Sequence, residues 1–145
     1  MNKAKFSKAS KDCKKICKFL SKDGLNLAFE FDSSKEPIFT DTLVRFNGVE
    51  KDGHETFYIE AIHDDCKQFD NKNRVFAFCK TAYKPYDIAV CACLIIFKHW
   101  LPDMKVSSDG NISDWEPAIK AVRSVFGKDY VQGYQLSNDY VYKYE

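Results

Sequence analysis

Ten consecutive apolar residues, Ile88 to Phe97, sit in a chain that is otherwise mixed in polarity. The run is about half the roughly 20 residues needed to span a bilayer, which assigns it to the middle of a hydrophobic core. From Asp87 through Trp100 the segment is longer than a strand normally runs. It therefore predicts a helix that is apolar on every side and hence buried. Pro85 suits its first turn and Pro102 ends it. Dense polar, turn-forming segments flank the run, F-A-F-C-K-T-A-Y-K-P-Y-D before it and V-S-S-D-G-N-I-S-D-W after it. They leave Lys80, Thr81, Lys84, Asp87, Ser107, Ser108 and Asp109 near the ends of core elements, where a rigid scaffold can hold the side chains of a cleft.

The rest of the chain supplies partners for that core. At 145 residues one domain is expected, and twelve Phe, eight Tyr and two Trp argue against disorder beyond the ends. Phe6, Ala9, Cys13, Ile16, Cys17 and Leu20 recur at helical spacing, predicting an amphipathic helix over residues 6–20 that Asp23-Gly24 stops. Leu25–Asp32 alternates as a strand does, Ser33–Pro37 reads as a turn, and Ile38–Phe46 is a second, less regular strand. The turn dipeptides Asn47-Gly48 and Asp52-Gly53 lead to a third strand over His54–His63. Asp64–Asn73 reads as an exposed loop, and Arg74–Cys79 and Lys105–Ser108 as short strands. Ser108–Asn111 reads as a turn.

Ser113 and Glu116 have capping-box spacing, with Pro117 in the first turn of a helix that Gly127 closes. Trp115, Ala118, Ile119, Val122, Val125 and Phe126 form its apolar stripe. Tyr140, Tyr142 and Tyr144 alternate as a terminal strand would. The expectation is a single α+β domain over residues 1–145. It has three helices (basic amphipathic, central buried, capped amphipathic) and a mostly antiparallel sheet of about five to seven strands.

Charge is unevenly spread. Residues 1–24 carry eight Lys against Asp12 and Asp23, a net +6, so the total of +1 leaves −5 on the other 121 residues. Such asymmetry marks a partner-binding or nucleic-acid arm. Its bearers are Lys8, Lys11, Lys15, Lys18 and Lys22, which share one helix face. A solvated face is the commoner fate of such a run, and base-stacking aromatics are missing from it apart from Phe6 and Phe19.

No catalytic signature is complete. The first 24 residues lack the apolar core of a secretion signal, which predicts a cytoplasmic chain with reduced thiols. Cys13-x3-Cys17 with His63-x2-Cys66 has four metal-ligating groups, but zinc ligands sit in tight knuckles rather than mid-helix, so no metal is expected. Cys91 and Cys93 point about 200° apart on a helix and cannot act together. Cys79 with His63 or His54 has no supporting signature, and Ser107 and Ser108 lack a hydrolase elbow. Lys80, Thr81 and Lys84 precede a helix N-terminus that favours anions, without the glycines of a phosphate loop. The competing reading is that Thr81 and Asp87 only hold a turn. Asp109 with Asp114 supplies too few oxygens for calcium. Trp115 belongs to the core, or stacks a ligand at a cleft.

The string F-C-K-T-x2-K-P-Y-D, the apolar helix, V-S-S-D-G and the later Trp resemble small uncharacterised proteins of bacteriophages and related mobile elements, over residues 76–115. The resemblance implies a bacterial intracellular setting and a part in the phage–host contest. An inhibitor of a host defence complex, of the anti-CRISPR kind, or a protein that sequesters a nucleotide signal would suit it. The expected function is non-enzymatic binding of a host protein, a protein–nucleic acid complex or a nucleotide, with no cofactor and no membrane, as a monomer or homodimer. Its cleft would be lined by Lys80, Thr81, Lys84, Asp87, Ser108, Asp109 and Trp115, with the N-terminal lysines as a second surface. The alternative is a small enzyme on a phosphate-bearing substrate, with Lys80 or Lys84 for charge and Asp87 or Asp109 as base.

Overall fold

Asn2 opens the first helix, accepting a hydrogen bond from Lys5 N at 3.1 Å. The computed structural model describes residues 2–32, 34–61, 79–104, 106, 108, 110, 112–131, 134–135 and 143–144. Helix α1 (Lys3–Lys22) buries Phe6, Ala9, Cys13, Ile16, Cys17 and Leu20, the stripe its periodicity predicts. It ends at Asp23, with Gly24 at φ +98°, a conformation that costs glycine nothing.

The sheet is built on β3 (Leu43–Gly48), which pairs antiparallel with β1 (Leu27–Ala28), β2 (Ile38–Phe39) and β4 (Phe57–Glu60). The strands are shorter than the alternating patterns predict. Leu25–Asp32 is strand only at Leu27–Ala28, because the chain folds back where Phe29 N donates to Lys35 O. The predicted strand Ile38–Phe46 is split in two. Thr40 Oγ1 accepts from Thr42 N at 3.3 Å and Leu43 N at 3.0 Å, turning the chain into a β2–β3 hairpin. Asn47-Gly48 is the end of β3 rather than a turn. The strand predicted over His54–His63 narrows to β4, and positions 62 and 63 lie outside the described residues. So do the predicted loop 64–73, all but Cys79 of the strand 74–79, and Tyr140 and Tyr142.

Helix α2 (Asp87–Trp100) has the predicted bounds, although Pro85 lies just outside its first turn, before the N-cap Tyr86. Lys98 holds its C-terminal end by donating to the carbonyls of Pro102 and Met104. Helix α3 (Ile112–Phe126) starts earlier than a Ser113 cap requires, so Pro117 lies inside it and cannot donate to the Ser113 carbonyl. Gly127, at φ +96°, closes α3 by donating to Arg123 O at 2.9 Å. Of the expected strand at Lys105–Ser108, Val106 forms an isolated bridge, while positions 105 and 107 lie outside the described residues. A two-stranded pair, β5 (Tyr134–Gln135) with β6 (Lys143–Tyr144), follows.

Among the described residues the fold is thus α+β, with three α-helices and a four-stranded antiparallel sheet. Helix α1 touches α2, α3, β2 and β3. Phe6 meets Phe97 of α2 at 5.0 Å between ring centroids, and Phe46 meets Phe57 across the sheet at the same distance. Every residue from Ala89 to Phe97 except Leu94 is buried, as an all-apolar helix requires. Among the described residues, no helix is long and apolar enough to cross a membrane.

Candidate functional site

The turn before α2 is tightly built. Lys80 N donates to Glu55 Oε2 at 2.7 Å, and the Lys80 carbonyl accepts from His54 Nδ1 at 2.7 Å and Glu55 N at 3.2 Å. Ala82 and Tyr83 follow in the left-handed region, at φ +52° and +55°, and Lys84 N closes the turn on Thr81 O. Buried Thr81 donates its hydroxyl proton to Asp87 Oδ1 at 2.6 Å, and Cys91 Sγ contacts Asp87 Oδ2 at 3.6 Å. Beyond α2, Ser108 Oγ accepts from Gly110 N, Trp115 is only 4 % exposed within the core, and Asp109 lies outside the described residues.

These two segments converge on Cys91. Its thiol pKa is raised by burial and then by the charges of Asp87 and Asp114. Two carboxylates, Asp87 and Asp114, thus lie near this thiol, while Lys80 is exposed and Lys84 half-buried. Thr81 and Asp87 bond each other and hold the turn.

Of the other described cysteines, Cys13, Cys17 and Cys93 are buried and Cys79 is partly buried. Cys17 Sγ lies 4.0 Å from Cys93 Sγ, and Cys13 Sγ donates to Cys93 O at 3.9 Å. Burial raises the pKa of Cys13 and Cys93, and in Cys17 the contact with Cys93 adds the largest share. Burial pushes Cys79 up to about 11. Among the described residues, no group of three His, Cys, Asp or Glu side chains is placed to hold a metal ion, and positions 63 and 66 lie outside them.

The lysines of α1 present a different picture. At about 100° per residue, Lys8, Lys11, Lys15 and Lys18 fall opposite the buried stripe and are exposed. With Lys14, Asp12 and Trp100 they line a groove of about 420 Å³. Trp100, the last residue of α2, supplies the aromatic ring that the lysine face of α1 lacks. Its Nε1 donates to Asp12 Oδ2 at 2.9 Å, and Tyr130 Oη donates to the same oxygen at 2.9 Å. Lys8 Nζ lies over the indole, 5.3 Å from its centroid. His99 packs edge-on against Trp100 and stacks on Tyr130 at 4.0 Å, and Tyr130 stacks on Phe126 at 4.7 Å. Asp12, the one acid of residues 3–22, is therefore the pin that joins α1 to this aromatic buttress. That isolated acid in a lysine run was the signal available for Trp100 and Tyr130.

A second hollow of about 330 Å³ is lined by Phe31, Glu50, Gly53, His54 and Glu55, an apolar and acidic set. The chain matches no family model, no curated protein and no solved structure.

Proposed function

We propose that this chain is a binding protein rather than an enzyme, and that the α1 groove holds a phosphate-bearing polyanion. The observation that supports the reading is the groove itself: five lysines and a tryptophan facing one concave surface, with Asp12 as its single acid. Its lysines stand at spacings of three and four residues, where like charges destabilise a helix by about 0.2–0.5 kcal/mol per pair. Lys3 and Lys5 add positive charge to the helix N-terminus, against the macrodipole. A polyanion bound in the groove relieves the repulsion among its lysines.

Chemistry finds less support. The thiols of Cys13, Cys17, Cys79, Cys91 and Cys93 all have raised pKa values and stay protonated at neutral pH. His54 is committed to the Lys80 carbonyl and His99 to an aromatic stack. In the setting that the phage-protein resemblance implies, the polyanion is the nucleic acid of a host defence complex.

The test is the triple variant Lys11→Gln, Lys15→Gln, Lys18→Gln, which keeps helix propensity nearly constant. Fluorescence anisotropy with a labelled oligonucleotide at low salt should show tight binding by the wild type and a loss of at least about tenfold in the variant. The free variant should also melt at a higher temperature, because like-charge repulsion is gone. Equal binding by both proteins would show the stripe to be a solvated face.

A further inference from the structure

The geometry points to single-stranded nucleic acid as the polyanion, with an unpaired base stacked on Trp100. The inference rests on the polyanion reading of the groove and adds a ligand class to it. From Lys8 to Lys18 the lysines run along about 15 Å of helix, enough to follow several phosphates of one strand. A duplex or an acidic protein surface would be satisfied by those charges alone. Neither has a use for an indole set among them.

Trp100 is held for that task. Its ring nitrogen is tied to Asp12, Asp12 is tied to Tyr130, and His99 wedges the ring edge-on. The indole is thus oriented before any ligand arrives, and little side-chain entropy remains to be lost on stacking. Lys8 overlies the ring in the free protein. A base can take its place while the ammonium moves to the adjoining phosphate, so one cation–π contact is exchanged for a stack and an ion pair. Asp12 places one negative charge in the groove. Two donated hydrogen bonds occupy its Oδ2, and the five surrounding lysines outnumber it. Asp12 and Tyr130 act here as positioning residues for the ring.

Three probes at low salt separate the possibilities: an oligo-dT strand of about 12 nucleotides, a duplex of the same length, and inorganic polyphosphate. Tryptophan emission and affinity are both followed. Of the two tryptophans, Trp115 is buried, so stacking reports through Trp100. The expected result is quenching by oligo-dT and none by polyphosphate. Trp100→Ala should lose about 10–100-fold in affinity for oligo-dT and leave polyphosphate and duplex binding within about twofold. Trp100→Phe, which keeps a ring but not the bond to Asp12, should retain most of the affinity.

If all three probes bind through the lysines, oligo-dT causes no quenching, and Trp100→Ala weakens none of them selectively, the single-strand inference fails while the polyanion reading stands. If no probe binds the wild type, or if Lys11, Lys15 and Lys18 can be replaced without effect, the polyanion reading fails as well. Should Trp100→Ala not fold, wild-type quenching and the Trp100→Phe affinity decide the matter.

Discussion

Asn47 shows what a single side chain can organise. It is fully buried and makes four hydrogen bonds, donating to His54 O and Thr56 Oγ1 and accepting from Gly48 N and His54 N. The loop from β3 to β4 is wrapped around it. Gly48 sits so close beneath that loop that a Cβ would lie 2.2 Å from the Asp52 carbonyl oxygen. As a dipeptide, Asn47-Gly48 reads as a turn, because that is where its backbone freedom is most often used. Here the glycine serves a close backbone approach and the amide replaces water for buried polar groups. Gly48→Ala should therefore destabilise the protein by about 1–3 kcal/mol, measured by urea denaturation. A loss below a few tenths would mean the loop can move aside freely. Thr81 and Asp87 teach a similar lesson. Polar residues at a helix entrance suggest a ligand, yet these two satisfy each other.

Helices and strands differed in how well they could be read. The stripe on α1 is legible because a sustained 3.6-residue period leaves little ambiguity, and the all-apolar α2 because its span from Asp87 to Trp100 is too long for a strand. Strand bounds were not. Thr40 breaks Ile38–Phe46 with a side-chain-to-backbone bond that no alternation pattern registers. Pro117 suits the first turn of a helix, yet α3 carries it internally.

The end of α2 holds a group whose ionisation reports on packing there. Burial lowers the His99 pKa below its usual 6.5, only partly opposed by the Tyr130 backbone and the Asp12 charge. The unfolded chain then binds the proton more readily than the folded one. The stability His99 contributes is present above pH 6.5 and is lost as pH falls through the lower folded value. Thermal melts from about pH 8 to pH 5 should show wild-type stability falling more steeply below 6.5 than that of His99→Gln. Parallel profiles would place His99 in solvent.

At the scale of the whole molecule, the charge asymmetry was visible in the sequence and its use was not. Lys8, Lys11, Lys15 and Lys18 could be placed on one face of a helix from spacing alone. The isolated Asp12 signals a partner for α1, but nothing local identifies that partner as Trp100, 88 residues away. The interhelical packing of α1 on α2, fixed by Phe6 and Phe97 among others, brings the ring into the groove. The sequence therefore locates the cations and not the aromatic, because Trp100 joins the stripe only through tertiary packing. The rim around Lys80 and Asp87 had the opposite history. Its residues are adjacent in the chain, but in the fold Thr81 and Asp87 bond each other and the charges of Asp87 and Asp114 fall on the buried Cys91.

The central claim is that the α1 groove neutralises phosphates, and counterion release measures this directly. Affinity for a single-stranded oligonucleotide should be recorded from low to physiological salt for the wild type and for the Lys11→Gln, Lys15→Gln, Lys18→Gln variant. With about 0.7 counterions released per neutralised phosphate, four or five contacts give a log–log slope of about −3, and the variant should be flatter by about 2. A wild-type slope near zero, or identical slopes for the two proteins, would contradict the assignment of this groove.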